Sequence, residues 1–366
     1  METSTLLPLF ILLLISLPIL LPRFSGWTRL HKSSLLQTLH SKPKPTSTSE
    51  VVSLRIYPIK SCRGLEIPRT KLRMHGLDLD RRWMFVDATT HEFLTIRQIP
   101  QMTLINTALS DDGSLLLLSI SSNHTTTANT NIPDPSLYNQ TISIPAHPTP
   151  TWLASHTHLA QVTIWDTTTD GYIYGPEVNT LFSAFLGRPV ALAYKGPTPR
   201  ILKGNGHPRL LGREQSTNFP DVHPILIASE ASMAELNSRL QKNGADPITI
   251  ERFRPNIVVK GDVPWSEDEW KVEREGGLDL NLDLDIVARC ARCARCQVPN
   301  VEPDTAEKHR KQPWDTLMSY RRVDEGMKYK PCFGMLSAPR NEGDIEVGMR
   351  FEVLEETKSH RYITGF

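Results

Sequence analysis

The segment from Leu278 to Ile286 constrains the fold most. Leu278, Leu280, Leu282, Leu284 and Ile286 alternate with Asp279, Asn281, Asp283 and Asp285. Successive side chains of a strand point to opposite faces, so this alternation predicts a half-buried strand with one wet face. It runs directly into Ala288-Arg-Cys-Ala-Arg-Cys-Ala-Arg-Cys296. Three thiols therefore lie at or just past a strand end, where rigid elements commonly present functional groups.

Other β signals are short. Val51 to Tyr57 and Trp83 to Val86 read as strands, and a further pair around residues 103 to 120 flanks the turn Asp111-Asp-Gly113. Their spacing suggests a small antiparallel barrel or sandwich. Residues 121 to 150, rich in Thr, Asn, Ser and Pro, carry too little apolar content to pack and are expected to form a disordered insertion. Helical spacing of Leu181, Phe182, Phe185 and Leu186 ends at Gly187. A second helix is expected from a capping box at Ser232-Met-Ala-Glu235, with Met233, Leu236 and Leu240 buried and Gly244 as its stop. Ile257 to Val259 reads as a strand, and Ser266 to Glu269 as a short turn of helix.

A net charge of +1 over 366 residues gives no case for a nucleic-acid partner. Five cysteines, three of them clustered, do not form a disulfide framework and suit a reducing compartment. The matches to Asn-x-Thr at Asn123 and Asn139 fit chance in a Thr- and Asn-rich stretch. Leu6 to Leu21 is almost wholly apolar and, at about 16 to 18 residues, sits at the short edge of a membrane span. Arg23, Arg29 and Lys32 follow it, whereas Glu2 is the one charged side chain before it, so the positive-inside rule leaves the remaining chain in the cytosol. Residues 1–27 are read as an anchor and 28–49 as a flexible tether.

The cysteine cluster admits several chemistries. A thiolate beside arginine is favoured over a thiol, which suits a soft metal, sulfur transfer or redox work. Three cysteines at this spacing begin a ferredoxin-type run, but position 300, where the fourth is needed, is Asn. A structural zinc site wants paired knuckles or a histidine pair, and His309 is the one histidine nearby. A small duplication of Ala-Arg-Cys, leaving one essential thiol and two passengers, is the plainer reading. Cys62 and Cys332 read as core thiols.

That idea fits a family. Tyr57-Pro-Ile-Lys-Ser-Cys-Arg-Gly64, Leu79-Asp-Arg-Arg-Trp83 and Thr95-Ile-Arg-Gln-Ile-Pro100 stand in the first half. Ser229-Glu-Ala-Ser232, Arg252-Phe-Arg-Pro-Asn-Ile257, Arg295-Cys296 with Glu302-Pro-Asp-Thr305, and Leu317-Met-Ser-Tyr-Arg321 follow, with Phe333-Gly334 and Gly343 to Gly348 completing the series. In this order the chain resembles the MOSC-domain proteins, specifically the mitochondrial amidoxime-reducing component family. The resemblance implies a mixed α+β, β-rich fold: an N-terminal MOSC-type β-barrel over 50–160 and a MOSC domain, a barrel with peripheral helices, over 161–366.

It also implies a molybdenum cofactor (molybdopterin) whose metal is bound by the thiolate of Cys296, with Cys293 matching a second, non-ligating cysteine and Cys290 matching nothing. Lys60, Ser61 and Arg81 match cofactor contacts from the first domain. Asp221, Val222, His223, Arg254, Asn256 and Arg295 match contacts from the second, and Arg97 is a guess for the layer behind them. Glu302 and Ala306 depart from the family's Asp and Gly. The activity implied is reduction of N-hydroxylated small molecules such as amidoximes and hydroxylamines. Electrons would come from cytochrome b5 and an NADH-dependent flavin reductase, because the sequence holds neither a dinucleotide fingerprint nor a haem motif. The mitochondrial outer membrane is the location the resemblance implies, with the endoplasmic reticulum as the other. A MOSC-type sulfur carrier is the alternative function. A full molybdenum cofactor sulfurase adds an upstream pyridoxal-phosphate domain, which this sequence does not contain.

Overall fold

The computed structural model describes residues 45–121, 135–275, 282–292 and 298–364. Its largest element is a closed seven-stranded barrel. Around the barrel run Ile257–Val259, Ile225–Ser229, Cys332–Pro339, Leu282–Ala291, Trp270–Glu275, Arg350–Glu356 and Ser47–Ile56, the last returning to the first. Closure falls to Ser47–Ile56. Its first half pairs with Arg350–Glu356 (Ser47 opposite Val353), and its second half with Ile257–Val259 (Leu54 opposite Ile257). A register shift between Val51 and Ser53 separates the two pairings, a local irregularity of the kind that bends a strand. Leu54, Ile56, Ile257, Val259, Leu284, Ile286, Met335 and Phe351 fill the interior.

The alternating segment behaves as its pattern requires. Leu282, Leu284 and Ile286 are buried, Asp283 and Asp285 half-buried, and the strand continues through Cys290. Residues 278–281 lie outside the described residues. Two other barrel strands carry no such pattern. Every residue of Cys332–Pro339 and of Ile225–Ser229 is buried, because both faces are covered.

Beside the barrel stand a four-stranded antiparallel sheet and a three-stranded one. The first orders Trp83–Asp87, Val190–Lys195, Thr167–Tyr174 and Thr157–Ile164; the second is the meander Ile105–Leu109, Leu115–Ile120, Thr141–Pro145. The turn expected at Asp111-Asp-Gly113 joins the first two meander strands. Asp112 accepts there from the Ser114 amide at 3.0 Å, and Gly113 sits at φ 70°. Helix Pro176–Leu186 ends on left-handed Gly187, as its pattern indicated.

Three expectations are corrected. The tether does not reach residue 49, since the Thr46 amide donates to Val353 O and Ser47–Ile56 is a barrel strand. Residues 141–145, expected in a disordered insertion, form the third meander strand, and Ile144 and Ala146 bury their side chains in the common core. Sparse apolar residues suffice there because the meander buries only one face; residues 122–134 lie outside the described residues. Helix Glu230–Lys242 is capped by Ser229, whose hydroxyl accepts from the Ser232 amide, one turn before the expected cap. Ser232 instead accepts from the Trp265 amide at 2.7 Å, and Glu235 accepts from the Trp265 indole. Among the described residues no helix is long and apolar enough to cross a membrane, and residues 1–27 lie outside them.

Candidate functional site

Sharp backbone turns at strand ends bring the expected residues together. Lys60 and Ser61 follow the end of Ser47–Ile56, with the Lys60 amide donating to Trp83 O at 2.8 Å. Arg81 is tied to the same turn by its amide to Tyr57 O at 2.8 Å. The segment Pro220 to His223 hangs from Arg200, whose guanidinium donates to Pro220 O at 2.7 Å and Asp221 O at 3.1 Å. Arg254 closes the short 3-10 turn Ile250–Phe253. Asn256 is buried, and its amide oxygen accepts from the Leu226 amide and from Arg81 at 3.0 Å. Lys60, Ser61, Arg81, Asp221, Val222, His223, Arg254 and Asn256 all line one cavity of about 290 Å³.

Arg295 and Cys296 fall in 293–297, outside the described residues. The residues on both sides of that stretch line the same cavity: Cys290, Ala291 and Arg292 before it, Val298 and Pro299 after it.

Positive charge dominates the wall. Lys60, Arg81, Arg97, Arg254, Arg292 and Lys330 line the cavity against one lining carboxylate, Asp221. Asp221 pairs with both Lys60 and Arg97. Burial works against its ionisation, but the two cations outweigh it and hold the carboxyl far below the usual range. Burial pushes Arg254 down, and its guanidinium lies 4.1 Å over the Tyr57 ring with Nη2 lacking a hydrogen-bond partner among the described residues. Arg81 also stacks on Tyr57, and burial holds that phenol at about 12 although Arg254, Arg55 and Arg81 oppose it. His223 is buried, and among the described residues its Nδ1 has no partner. Such orphaned polar atoms are costly unless something meets them.

Four of the eight described non-glycine residues with positive φ line this cavity: Ser61, Arg81, Trp165 and Arg254. Side chains disfavour that region, and such strain gathers at ligand-holding sites.

His223 carries a measurable consequence. Burial, helped by Arg200, lowers its pKa to about 4. Between that value and the usual 6.5 the unfolded chain binds a proton that the folded one refuses. Stability present above pH 6.5 is therefore lost as pH falls toward 4, by up to about 3 kcal/mol. Urea midpoints measured from pH 7 to 4.5 should fall less steeply for His223→Gln than for the parent; parallel curves would contradict this.

Sequence reasoning did not find Trp165, Arg292, Lys330 or Tyr362, and it left Arg97 a guess. Arg97 lies 4.5 Å over the Trp165 ring as well as on Asp221. Trp165 occupies the loop between Thr157–Ile164 and Thr167–Tyr174, two Thr-rich strands without a motif. The signal available was the β-branched content on either side of Trp165-Asp166. The Ala-Arg-Cys units are not equivalent. Arg289 is buried and donates to Asp268 O and His360 O, whereas Arg292 lines the cavity and donates to Phe333 O at 2.8 Å. Cys62 and Cys332 are buried thiols, and burial pushes Cys332 up to about 12.

Of the two departures in the loop after the cysteines, Glu302 has a local partner, whereas nothing in the structure explains an alanine at 306. Glu302 reaches Arg252 in an ion pair, while Arg63 holds Asp304 at 2.6 Å and Pro303 O at 3.0 Å. Ala306 sits at φ 60°, the conformation that glycine adopts freely.

Comparison with known proteins supplies the family. Residues 48–189 match the MOSC N-terminal beta barrel domain, and residues 214–352 match the MOSC domain. The chain is 31% identical over 307 residues to mitochondrial amidoxime-reducing component 1 of Homo sapiens, covering 81% of each. The chain belongs to the MOSC-domain family. Mitochondrial amidoxime reducing component 2 of Bos taurus is 30% identical over the same length. The molybdenum cofactor sulfurase of Arabidopsis thaliana is 32% identical over 295 residues, which span 78% of this chain and 32% of that one. This MOSC protein is thus β-rich, with relatives among the amidoxime-reducing components and the molybdenum cofactor sulfurases.

Proposed function

We propose that this MOSC protein holds a molybdenum cofactor in the cavity and reduces N-hydroxylated small molecules. One observation carries the reading: eight residues expected from the resemblance, and both flanks of the Cys293–Cys296 stretch, line a single cationic cavity. The residues fit an anionic, polar group. Among the described residues, Arg254 offers an unmatched guanidinium nitrogen, and His223 an unmatched ring nitrogen. Lys60, Arg81 and Arg97 are held in place by Asp221 and Asp80. Guanidinium groups fixed in this way suit a phosphate.

Arg254, Arg81 and Lys60 would hold the anionic end, Asn256 and the backbone around Asp221 to His223 the polar ring system, and Cys296 the metal. When bound, the cofactor supplies two-electron oxygen-atom chemistry. The chain's own part is orientation and access. Asp221 fixes Lys60 and Arg97, Asn256 fixes Arg81, and Trp165 and Phe253 shield the wall from water. Electrons would arrive from cytochrome b5 and its NADH-dependent flavin reductase, with an anchor in residues 1–27 holding all three proteins at one mitochondrial outer membrane.

The test is the metal and pterin content of the full chain, made in a host that provides the cofactor, together with turnover of an amidoxime. About one molybdenum per chain with reduction supports the proposal. Persulfide without metal favours the sulfur-carrier reading, which the sulfurase likeness motivates, and zinc, iron or no metal sinks the reductase. Arg254→Ala should weaken cofactor retention about 10- to 100-fold, the loss of one charge-assisted hydrogen bond. The fold should be unaffected, because Arg81 bonds only the Arg254 backbone oxygen. Pterin fluorescence remaining after gel filtration reads this, and full retention would remove Arg254 from the site.

A further inference from the structure

The cavity has a second character. Besides the cations, Val222, Leu226, Leu336, Met327 and Tyr362 line it, an apolar group that clusters together. Four of them pack around Tyr362 in a cluster separate from the main core. Tyr362 comes from the C-terminal segment, ten residues beyond the stretch that matches the MOSC domain.

That segment is held with unusual care for a chain end. Asn205 grips both sides of Tyr362, donating to Arg361 O at 2.9 Å and accepting from the Ile363 amide at 2.7 Å. Asp324 accepts from the Tyr362 amide at 2.9 Å and from the Gly326 amide at 2.8 Å. Gly326 is required for this approach, because a Cβ there would lie 1.9 Å from Tyr362 O. Arg289 holds His360 O at 3.0 Å. Terminal segments are ordinarily loose unless tied down. Here the Asn205 and Asp324 bonds converge on Tyr362, which lines the cavity.

We infer that Tyr362 and its apolar neighbours form a subsite for the aromatic or aliphatic body of the N-hydroxylated substrate, so that the C-terminal segment sets which substrates fit. This rests on the reductase reading for the reaction, not for the binding. A pocket that pairs an apolar wall with a few fixed polar groups is the usual form of a small-molecule site. Substrates lacking an apolar body gain nothing from the wall, whereas aryl substrates gain an aromatic contact.

The experiment compares benzamidoxime, which has an aryl body, with hydroxylamine, which has none. In Tyr362→Ala the ratio of kcat/KM for benzamidoxime over hydroxylamine should fall about 5- to 10-fold, the worth of one aromatic contact. The Kd for benzamidoxime, read by ligand-observed NMR without any reductant, should rise by a similar factor. Asn205→Ala, which releases the segment without touching the ring, should move both quantities the same way, and Tyr362→Phe should restore them. An unchanged ratio and Kd in Tyr362→Ala, or an equal loss for both compounds, would overturn the inference. A parent protein that reduces neither compound when supplied with NADH, the flavin reductase and cytochrome b5 refutes the reductase reading instead, and the NMR Kd values then decide the subsite alone.

Discussion

Replacing Cys296 by alanine is expected to leave a folded chain that retains little molybdenum and shows no molybdenum-dependent reduction, whereas Cys290→Ala retains both. Changes behind a metal's direct ligands already cost about 10- to 100-fold in affinity or activity, so loss of the ligand itself should cost more. The contrast with Cys290 is the informative part, because Cys290 also lines the cavity. It stands near the end of Leu282–Ala291, half-buried, and burial pushes its thiol up although Arg292 opposes this. At neutral pH it stays protonated and is a poor resting ligand. Metal content by mass spectrometry of both variants decides the matter. Loss of molybdenum from Cys290→Ala with Cys296→Ala unaffected would transfer the ligand role to the earlier unit of the repeat.

Asp268→Ala should be the most destabilising single change away from the cavity. Asp268 accepts from Arg321 at 2.8 and 2.9 Å and faces Arg289 at 3.8 Å, and both arginines are buried. Removing the carboxylate strands two cations in the interior, which costs about 3–5 kcal/mol for a broken buried pair. Asp324, 3.8 Å from Arg289, compensates only in part. The loss should appear as a large drop in the urea midpoint. Asp268→Asn keeps one acceptor oxygen for Arg321 but not the charge, and should recover only part of the loss. Equal midpoints for Asp268→Ala and the parent would show that the network contributes nothing net. Because Arg289 adjoins Cys290 on the strand leading to the other thiols, Asp268→Ala should also loosen that strand's end.

Where local pattern and burial agree, the fold was legible. The alternation ending at Ile286, the stop at Gly187 and the turn at Asp112-Gly113 each follow from a few neighbouring residues. The buried strands were harder. Val190–Lys195 and Cys332–Pro339 are buried throughout, so no polar face marks them, and a short apolar run does not tell strand from helix. Barrel closure joins Leu54 to Ile257 across two hundred positions, a pairing that no local periodicity encodes.

The candidate site divides along the same line. By itself the sequence determined where the family's short motifs stand: Lys60, Arg81, Arg254 and Asn256, the residues proposed for an anionic cofactor, each lie in one. Only the tertiary structure decided that one carboxylate, Asp221, would bind two of the wall's cations. It alone brought Trp165 and Arg97 face to face, and left Arg254 Nη2 and His223 Nδ1 without partners among the described residues. Tyr362 shows the same limit at the chain's end, where Asn205 and Asp324 hold a residue that its neighbours do not mark. The physical reason is that side-chain chemistry is local, whereas charge pairing, burial and cavity walls depend on which distant elements the closed barrel sets side by side.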